Sequence, residues 1–491
     1  MNTLFSLTWL AIGGALRFFD FGKRTIPMAV WLSPIFLLHF SRANDPLTGM
    51  LAIWSVIFLA ALFAYRDVIP VPGIFYPLIV AFISVTGTLP YLADRLLYAR
   101  LPGFAAVMVF PIAWVIMEFI TARTSPYTTW GSIAYTQYGD HPLMQLASVT
   151  GLWGISFLIA WFGSTINWAW DKQFDWSIIQ GGLLAYAVLW SLVMLVGGMR
   201  LVRAKSPRTV RVATIGWPED ILGRDTFTRL FASEPLSEKE RIDFQNAFGN
   251  LQNYFLEESQ REACAGAKIV VWPEADLLIF QKDEAAFMER ATKLTRDAQI
   301  YLLMGMGTII DGNPARLENK AVLMDPSGNP VYSYIKKNPV PGWEAQISVP
   351  SDGRIHTYDS EYGLLASAIC YDMDFPQFIR QAGKAGTDIM LVPASDWEPI
   401  KHLHHAMAVF RAVENGTSLV RATRWGNSTA VDSFGRTLAI MDSFSSAQNM
   451  MVAEVPISGV RTIYSKLGDW FAWLCVVGLL GLVGFAIAGI F

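Results

Sequence analysis

Residues Gly363–Asp372 read GLLASAICYD, an apolar run that reaches Cys370 and continues at once into a tyrosine and an acidic residue. The run predicts a short buried strand. Loops that follow the carboxyl ends of strands are where α/β sheets place reactive side chains, so the stretch predicts Cys370 at such an edge. Taken alone, the pattern is weak evidence that Cys370 is catalytic, because a cysteine on an apolar strand is most often a small core residue.

The sequence on both sides of this stretch alternates between strand and helix patterns. Thr209–Trp217 alternates apolar and polar residues, Lys268–Trp272 is a short apolar run, and Ser237–Glu240 is a capping box that begins a helix to about Ala265. Further strands are predicted at Ile300–Ile310, Ala321–Asp325, Val331–Ile335 and Ile389–Pro393, and further helices at Glu284–Gln299, Pro376–Lys384 and His402–Glu414. Such alternation is typical of a layered α/β domain.

Two other chemically useful side chains follow predicted strands. Glu274 comes after Lys268–Trp272 in the sequence Trp-Pro-Glu, and Lys336 ends the second strand of a hairpin. A carboxylate can accept the proton of a thiol, and an ammonium can lower the pKa of a thiol and stabilise an oxyanion. Either residue could also be an ordinary surface charge, and Lys337 competes with Lys336 for the same position. Periodicity alone does not bring the three residues together.

Charge is distributed unevenly along the 491 residues. Charged residues make up 16% of the chain, hydrophobic residues 53%, and mean hydropathy is +0.34. Soluble domains have about 25% charged residues. Residues 1–199 hold 17 of the 79 charged side chains and residues 470–491 hold none. This pattern argues against an ordinary soluble enzyme, and the net charge of −3 argues against a nucleic-acid-binding protein.

Charge-free apolar runs predict eight membrane-spanning helices, seven before the α/β region and one after it. The long runs are Pro46–Tyr65, Val68–Ala93, His141–Trp170, Trp176–Met199 and Trp470–Phe491, and the shorter runs are Met1–Leu16, Thr25–Ser41 and Leu101–Met117. The first run has no basic region before it and no clear cleavage motif, so we expect a retained helix rather than a signal peptide. We predict a membrane domain over residues 1–199 and a terminal span over residues 470–491.

Ordered motifs in the α/β region resemble the nitrilase, or carbon–nitrogen hydrolase, superfamily. The motifs are Val-Trp-Pro-Glu274, Tyr334-x-Lys336 with Pro341 and Glu344 downstream, Ile-Cys370-Tyr-Asp, Arg411-Ala-Val-Glu-Asn415, Arg421-Ala-Thr and Asp432-Ser-Phe-Gly435. The resemblance implies an αββα sandwich over residues 207–457, with Glu274 as base, Lys336 as transition-state stabiliser and Cys370 as nucleophile. It also implies that Glu344, Tyr371 and Asp372 support the site, and the Tyr-x-Lys spacing favours Lys336 over Lys337.

A nitrilase-like domain between seven spans and one span resembles the membrane-embedded branch of the superfamily, the apolipoprotein N-acyltransferases. Local matches in the membrane region are Glu118, Trp130-Gly131, Tyr135-x-Gln137, Gln145 and Gly151-x-x-Gly154-x-Ser-Phe157. The resemblance implies transfer of a fatty acyl chain from a phospholipid, through a thioester on Cys370, to the N-terminal amine of a diacylglyceryl-modified lipoprotein. It implies neither a cofactor nor a metal.

The resemblance also implies the bacterial inner membrane, with the catalytic domain facing the periplasm. Short loops hold five Lys/Arg on the domain side and four on the other side, which does not decide the orientation. A basic flank over residues 200–211 favours the opposite orientation, with the catalytic domain in the cytoplasm.

The chain departs from the usual family motifs at Trp217, Trp343, Asp372 and Ser395-Asp396-Trp397. We expect aromatic side chains, several of them at these departures, to contact lipid or acceptor. They are Trp130, Tyr135, Trp217, Trp343 and Trp397.

Two other functions stay open at this stage. A membrane-tethered amidase that hydrolyses a hydrophobic or lipid-linked amide would share every triad residue, whereas a silent membrane scaffold would not need an intact triad.

The cluster His402-Leu-His404-His405 does not match zinc-ligand spacing, so we expect it to be a polar helix start near the mouth of the site. Glu118, inside a predicted span, is either a functional residue or a hydrogen-bonding residue that holds the helices together.

Overall fold

The computed structural model describes residues 3–21, 24–204, 208–217, 228–232, 234–312, 314–446 and 449–489. The chain forms two compact units, one made of Met1–Ala204 with Leu467–Phe491 and the other of Lys205–Lys466. Residue 207, the predicted start of the α/β domain, and the outermost residues of the first and last predicted spans lie outside the described residues.

Seven strands form the first sheet of the unit Lys205–Lys466. They are β1 (Thr209–Ile215), β2 (Ile269–Val271), β3 (Leu277–Phe280), β4 (Tyr301–Ile310), β5 (Arg316–Met324), β6 (Pro330–Ile335) and the last strand of the unit, β13 (Met450–Pro456). The order is β13-β1-β2-β4-β5-β6, and β3 also pairs with β4. Strands β1, β2 and β4 are parallel, so the loop after β2 opens at the carboxyl edge of this core.

Six strands form the second sheet of this unit. They are β7 (Thr357–Ser360), β8 (Gly363–Ser367), β9 (Ile389–Ser395), β10 (Ser418–Arg424), β11 (Asn427–Val431) and β12 (Thr437–Asp442). They lie in reverse chain order from β12 to β7, and β8, β9 and β10 are parallel. Almost every residue of β9 and β10 is buried, as expected for parallel strands covered on both faces.

Helices cover the outer face of each sheet. Glu238–Cys264 and Glu284–Ala298 pack through Phe248, Phe255 and Phe287 into the core of the first sheet. The helices Pro376–Ala385 and Lys401–Asn415 contact one another, and the second of them also contacts β10 and β11. Strands β2 and β4 contact β9, so the two sheets pack face to face. This arrangement confirms the predicted αββα sandwich.

Most predicted elements of this unit are confirmed within a few residues, including the capping box between Ser237 and Glu240. One correction bears on the site. The strand predicted to reach Cys370 ends at Ser367, and Cys370 is instead the first residue of a 3-10 helix, Cys370–Asp374. Its φ of +44° explains the difference, because a left-handed residue cannot continue a strand.

The unit Met1–Ala204 with Leu467–Phe491 is helical in its described residues. Its longer helices are Thr3–Arg17, Pro27–Ala43, Pro46–Ala64, Phe75–Leu97, Val109–Thr124, Leu152–Asp171, Trp176–Val202 and Trp470–Ala488. Shorter segments are 3-10 helices at Tyr98–Arg100, Gly103–Met108 and Ile133–Gln137, and α-helices at His141–Met144 and Ala147–Thr150. By length and composition, five helical segments among the described residues could cross a membrane, or six if one bent pair counts as a span.

The bent pair is a correction to the predicted span His141–Trp170. The segments His141–Thr150 and Leu152–Asp171 meet at an angle of 118° rather than forming one continuous helix. The bend lies at Gly151, whose φ of +67° is a left-handed conformation that glycine adopts without steric cost.

Glu118 is buried among the helices of this unit and accepts four hydrogen bonds. Oε1 accepts from Trp114 Nε1 at 3.0 Å and from the Ile133 amide at 3.0 Å. Oε2 accepts from Ser132 Oγ at 2.9 Å and from Ser156 Oγ at 2.7 Å. These bonds connect two helices and the segment between them, which favours the interpretation that Glu118 holds the bundle together.

Candidate active site

Glu274 lies three residues beyond the end of β2, in the loop that leaves the first sheet. Its side chain is buried, and its amide donates a 3.4 Å hydrogen bond to the Ala394 carbonyl of β9 in the second sheet. Oε1 of Glu274 accepts hydrogen bonds from Lys336 Nζ at 2.7 Å and from Asn319 Nδ2 at 2.8 Å. The carboxylate is therefore fixed at the junction of the two sheets.

Lys336 directly follows β6, and its amide donates to the Asn319 carbonyl of β5 at 2.8 Å. The buried Nζ donates to Glu274 and to both oxygens of Glu344, at 2.8 and 3.0 Å. Burial by itself would lower the pKa of Lys336, but the charges of Glu274 and Glu344 raise it well above its ordinary value. Lys336 therefore stays an ammonium group. Lys337 is exposed, so the structure turns Lys336 and not Lys337 toward the carboxylates.

Cys370 is buried at the start of its 3-10 helix, with its Sγ atom 3.3 Å from the Ser395 carbonyl oxygen. Burial raises the pKa of the Cys370 thiol well above its ordinary value, Glu274 raises it further, and Lys336 lowers it. The resting group is therefore a thiol, and its proton needs an acceptor when sulfur attacks. The left-handed backbone at Cys370 is a strained conformation of the kind that concentrates at functional sites.

Glu344 lies in the short helix Trp343–Ile347. Besides binding Lys336, its carboxylate accepts from the Val340 amide at 2.8 Å and from Asn319 Nδ2 at 3.1 Å. Asn319 thus donates to both carboxylates that flank the lysine. Sequence reasoning missed Asn319 because it lies between Glu318 and Lys320, before the predicted strand Ala321–Asp325, where no pattern distinguishes it.

Asp372 braces the turn that carries Cys370. One of its oxygens accepts from Tyr334 Oη at 2.6 Å and from the Ile369 amide at 3.0 Å, and the other accepts from the Asn338 amide at 2.9 Å. Burial raises the pKa of Asp372 to about 6, although the hydrogen bond from Tyr334 and other donors opposes the shift. Tyr371 is buried and packs edge-on against Phe375 at 5.2 Å between ring centroids.

The five aromatic side chains expected to contact substrate are divided between the two units. Trp130 and Tyr135 belong to the unit Met1–Ala204 with Leu467–Phe491, called the membrane unit below, where Tyr135 Oη lies 2.8 Å from Thr129 Oγ1. In the other unit, Trp343 lies beside Glu344 and is 45% exposed. Trp217 packs against the core of the first sheet, with Phe255 at 6.5 Å between ring centroids. Trp397 packs edge-on against the imidazole of His404 at 5.9 Å.

One histidine of the cluster His402-Leu-His404-His405 takes part in a buried ion pair. Among the described residues, no group of three or more His, Cys, Asp or Glu side chains could hold a metal ion. His404 instead bonds through Nδ1 to Asp396 at 2.8 Å, and Asp396 also accepts two hydrogen bonds from Arg421. Burial would raise the pKa of Asp396, but Arg421 and His404 lower it to about 2.

Comparison with known proteins relates both units to one group of enzymes. The family model described as Carbon-nitrogen hydrolase matches residues 240–464, and the model described as Apolipoprotein N-acyltransferase N-terminal domain matches residues 13–165. A protein of Geobacter metallireducens named Apolipoprotein N-acyltransferase is 28% identical over 77% of this chain and 73% of its own length. Apolipoprotein N-acyltransferase of Rickettsia prowazekii is 24% identical over 82% of this chain and 79% of its own.

A solved structure of an amidase from Nesterenkonia sp. also aligns with the chain. It is 20% identical, with a TM-score of 0.41, over 55% of this chain and 97% of the amidase.

Proposed function

The chain belongs to the apolipoprotein N-acyltransferase family, and on that premise we propose that it moves a fatty acyl group from a phospholipid to the N-terminal amine of a lipoprotein. The observation that carries the proposal is the buried arrangement of Glu274, Lys336 and Cys370 in one site. It supplies a proton acceptor, a fixed cation and a nucleophile, the three parts needed for acyl transfer through a covalent intermediate.

In the first half-reaction the Cys370 sulfur attacks the ester carbonyl carbon of the phospholipid. Glu274 takes the thiol proton as the carbon–sulfur bond forms, and the carbonyl oxygen becomes an oxyanion that the Lys336 ammonium stabilises. The ester carbon–oxygen bond then breaks, and the leaving alkoxide recovers the proton from Glu274. The products are a lysophospholipid and a thioester on Cys370.

In the second half-reaction the α-amine of a diacylglyceryl-modified cysteine attacks the thioester carbon. Glu274 removes a proton from the attacking nitrogen, and Lys336 again faces the oxyanion. The carbon–sulfur bond breaks, sulfur regains the proton, and the acyl group leaves as an amide. The two products form in sequence, which makes the scheme ping-pong.

We assign eight membrane spans to the chain, seven before the unit Lys205–Lys466, called the catalytic unit below, and one after it. The helices Thr3–Arg17 and Pro27–Ala43, of 15 and 17 residues, would add to the longer apolar helices in this count. The acceptor is the N-terminus of an exported protein, so the catalytic unit faces the periplasm of the inner membrane in this proposal.

A cavity in the membrane unit supports a lipid substrate. It measures about 710 Å³, within the roughly 300–1,000 Å³ typical of ligand pockets. Its walls are mostly apolar and include Phe75, Phe82, Ile120, Tyr127 and Trp130. Such a wall suits an acyl chain, and Trp130, which was expected from the sequence to contact lipid, is one of the residues that form it.

The test is mass spectrometry of the purified full-length enzyme after incubation with phospholipid and no acceptor. We expect one acyl group on Cys370, labile to hydroxylamine, and its transfer to a diacylglyceryl peptide when that peptide is added. Cys370→Ser should abolish turnover, whereas Cys264→Ala and Cys475→Ala should keep it. Acylation of Cys264, or release of free fatty acid in place of acylated peptide, would overturn the proposal, and the second result would favour the amidase.

A further inference from the structure

Four charged side chains lie buried beside Cys370, and the proposed mechanism uses none of them. Asp374 ends the 3-10 helix that begins with Cys370, and Asp396 directly follows β9. His404 comes from the helix Lys401–Asn415 and Arg421 from β10. Each is at most 4% exposed. Buried charges are retained only when they are paired, so their pairing indicates what they do.

His404 lies between the two carboxylates. Its Nδ1 is 2.8 Å from Asp396 Oδ1, and its Nε2 is 3.3 Å from Asp374 Oδ2. An imidazole with a carboxylate at each nitrogen carries a proton on both, because a carboxylate only accepts hydrogen bonds. Burial would lower the pKa of His404, but Asp374 and Asp396 raise it to about 9. His404 is therefore an imidazolium at neutral pH.

The two carboxylates belong to the two backbone segments that hold the thiol. Asp374 lies in the same 3-10 helix as Cys370, and Asp396 is the neighbour of Ser395, whose carbonyl oxygen is 3.3 Å from Cys370 Sγ. His404 thus joins one segment to the other across the nucleophile. A strained residue such as Cys370 keeps its conformation only when its surroundings fix it.

The cluster also sets the charge beside the thiol. While His404 is protonated, the net charge of the cluster is zero, because its two carboxylates balance its two cations. Loss of the imidazolium charge would leave one net negative charge near Cys370, which disfavours the thiolate. The other charged groups that act on Cys370 are Glu274 and Lys336.

We propose that His404 is a positioning residue for the nucleophile, joining the turn of Cys370 to the end of β9 and balancing the charge of Asp374 and Asp396. It touches no substrate in this role. The inference rests on the proposed function only in taking Cys370 as the nucleophile.

The experiment measures alkylation of Cys370 by iodoacetamide in the full-length enzyme, with Cys264→Ala and Cys475→Ala so that one thiol remains. At a fixed pH near 8 we expect His404→Gln to slow alkylation about tenfold, the effect of raising the thiol pKa by about one unit. Asp374→Asn should speed alkylation, because it removes a negative charge, and the double variant should return close to the parent rate. His402→Gln is the matched control, since His402 is exposed on the same helix.

The pattern separates charge from packing. A merely structural role would move both single variants in the same direction and make the double variant worse, and that result would overturn the proposal. An unchanged rate in His404→Gln would do the same. If His404→Gln does not fold, Asp374→Asn still tests the proposal. Faster alkylation of Cys370 in Asp374→Asn supports it, and slower alkylation contradicts it. Alkylation of Cys370 needs no lipid substrate. The alkylation result therefore tests the role of His404 independently of whether the enzyme transfers an acyl group.

Discussion

The ammonium nitrogen of Lys336 lies 2.7 Å from Oε1 of Glu274, and both groups are buried. The base and the oxyanion stabiliser therefore share a hydrogen bond before any substrate arrives. Removing one partner of a buried ion pair leaves an uncompensated charge and typically costs about 3–5 kcal/mol. For a variant of Lys336 or Glu274, thermal stability should therefore be measured together with the rate of acylation.

Lys336→Met should reduce acyl-enzyme formation by about 100- to 1,000-fold, the usual cost of losing one oxyanion-stabilising group. Its thermal stability should also fall, because Glu274 and Glu344 would face each other without a cation. Lys337→Met is the control, since Lys337 is exposed, and it should keep near-normal activity. A fully active Lys336→Met beside an inactive Lys337→Met would show that the lysine is assigned one position off.

Glu274→Gln should separate proton transfer from thiol reactivity. The amide keeps an acceptor oxygen for Lys336 but cannot take the thiol proton, so acylation by phospholipid should be lost. Because the charge of Glu274 raises the pKa of Cys370, alkylation of Cys370 by iodoacetamide should become faster. Parallel measurement of acylation and alkylation checks this. Equal loss of both reactions would mean that Glu274 acts through structure instead.

Stability should fall with rising pH through a contribution from His404. Its folded-state pKa of about 9 lies above its ordinary 6.5, so the folded protein binds the proton more tightly. The stabilisation, about 3 kcal/mol, is fully present below pH 6.5 and lost as pH rises through 9. We expect the difference in Tm between wild type and His404→Gln to shrink between pH 7 and 10. A constant difference across that range would contradict the assignment.

Glu118→Ala should destabilise the membrane unit by several degrees in Tm, because four hydrogen-bond donors would lose their acceptor. Glu118→Gln keeps one acceptor oxygen and the shape, so its loss should be smaller. Thermal unfolding in one detergent compares the two variants. If Glu118→Gln folds normally but forms no acyl-enzyme, Glu118 takes part in function beyond holding the bundle.

Single cysteines should report which side of the membrane the catalytic unit faces. In a background without the native cysteines, Asp352→Cys places a thiol at an exposed position of that unit, and Lys172→Cys places one in a loop of the membrane unit. An impermeant thiol reagent applied to spheroplasts should label the first and spare the second. The reverse labelling would put the site in the cytoplasm and rule out lipoprotein acylation there.

The sequence patterns alone predicted a layered α/β domain, because strands and helices have local causes, whereas the αββα sandwich was predicted only through the family resemblance. Apolar or alternating runs of five to eleven residues, turn residues between them and one capping box predict these strands and helices wherever they lie along the chain. The membrane unit was also predicted from the sequence. Residues 1–199 carry few charges, and long apolar segments of this kind are stable only when they are buried in lipid or protein. The triad could be named only through ordered motifs that resemble a family.

Tertiary structure alone decided what each site residue touches. Asn319 and Lys336 are 17 positions apart, yet antiparallel pairing of β5 and β6 puts them side by side against Glu274. His404 looked like part of a polar helix start, whereas packing of its helix places it between Asp374 and Asp396. The physical reason is that hydropathy and turn patterns report where a segment is buried, while hydrogen bonds and ion pairs depend on which distant segments share the burial.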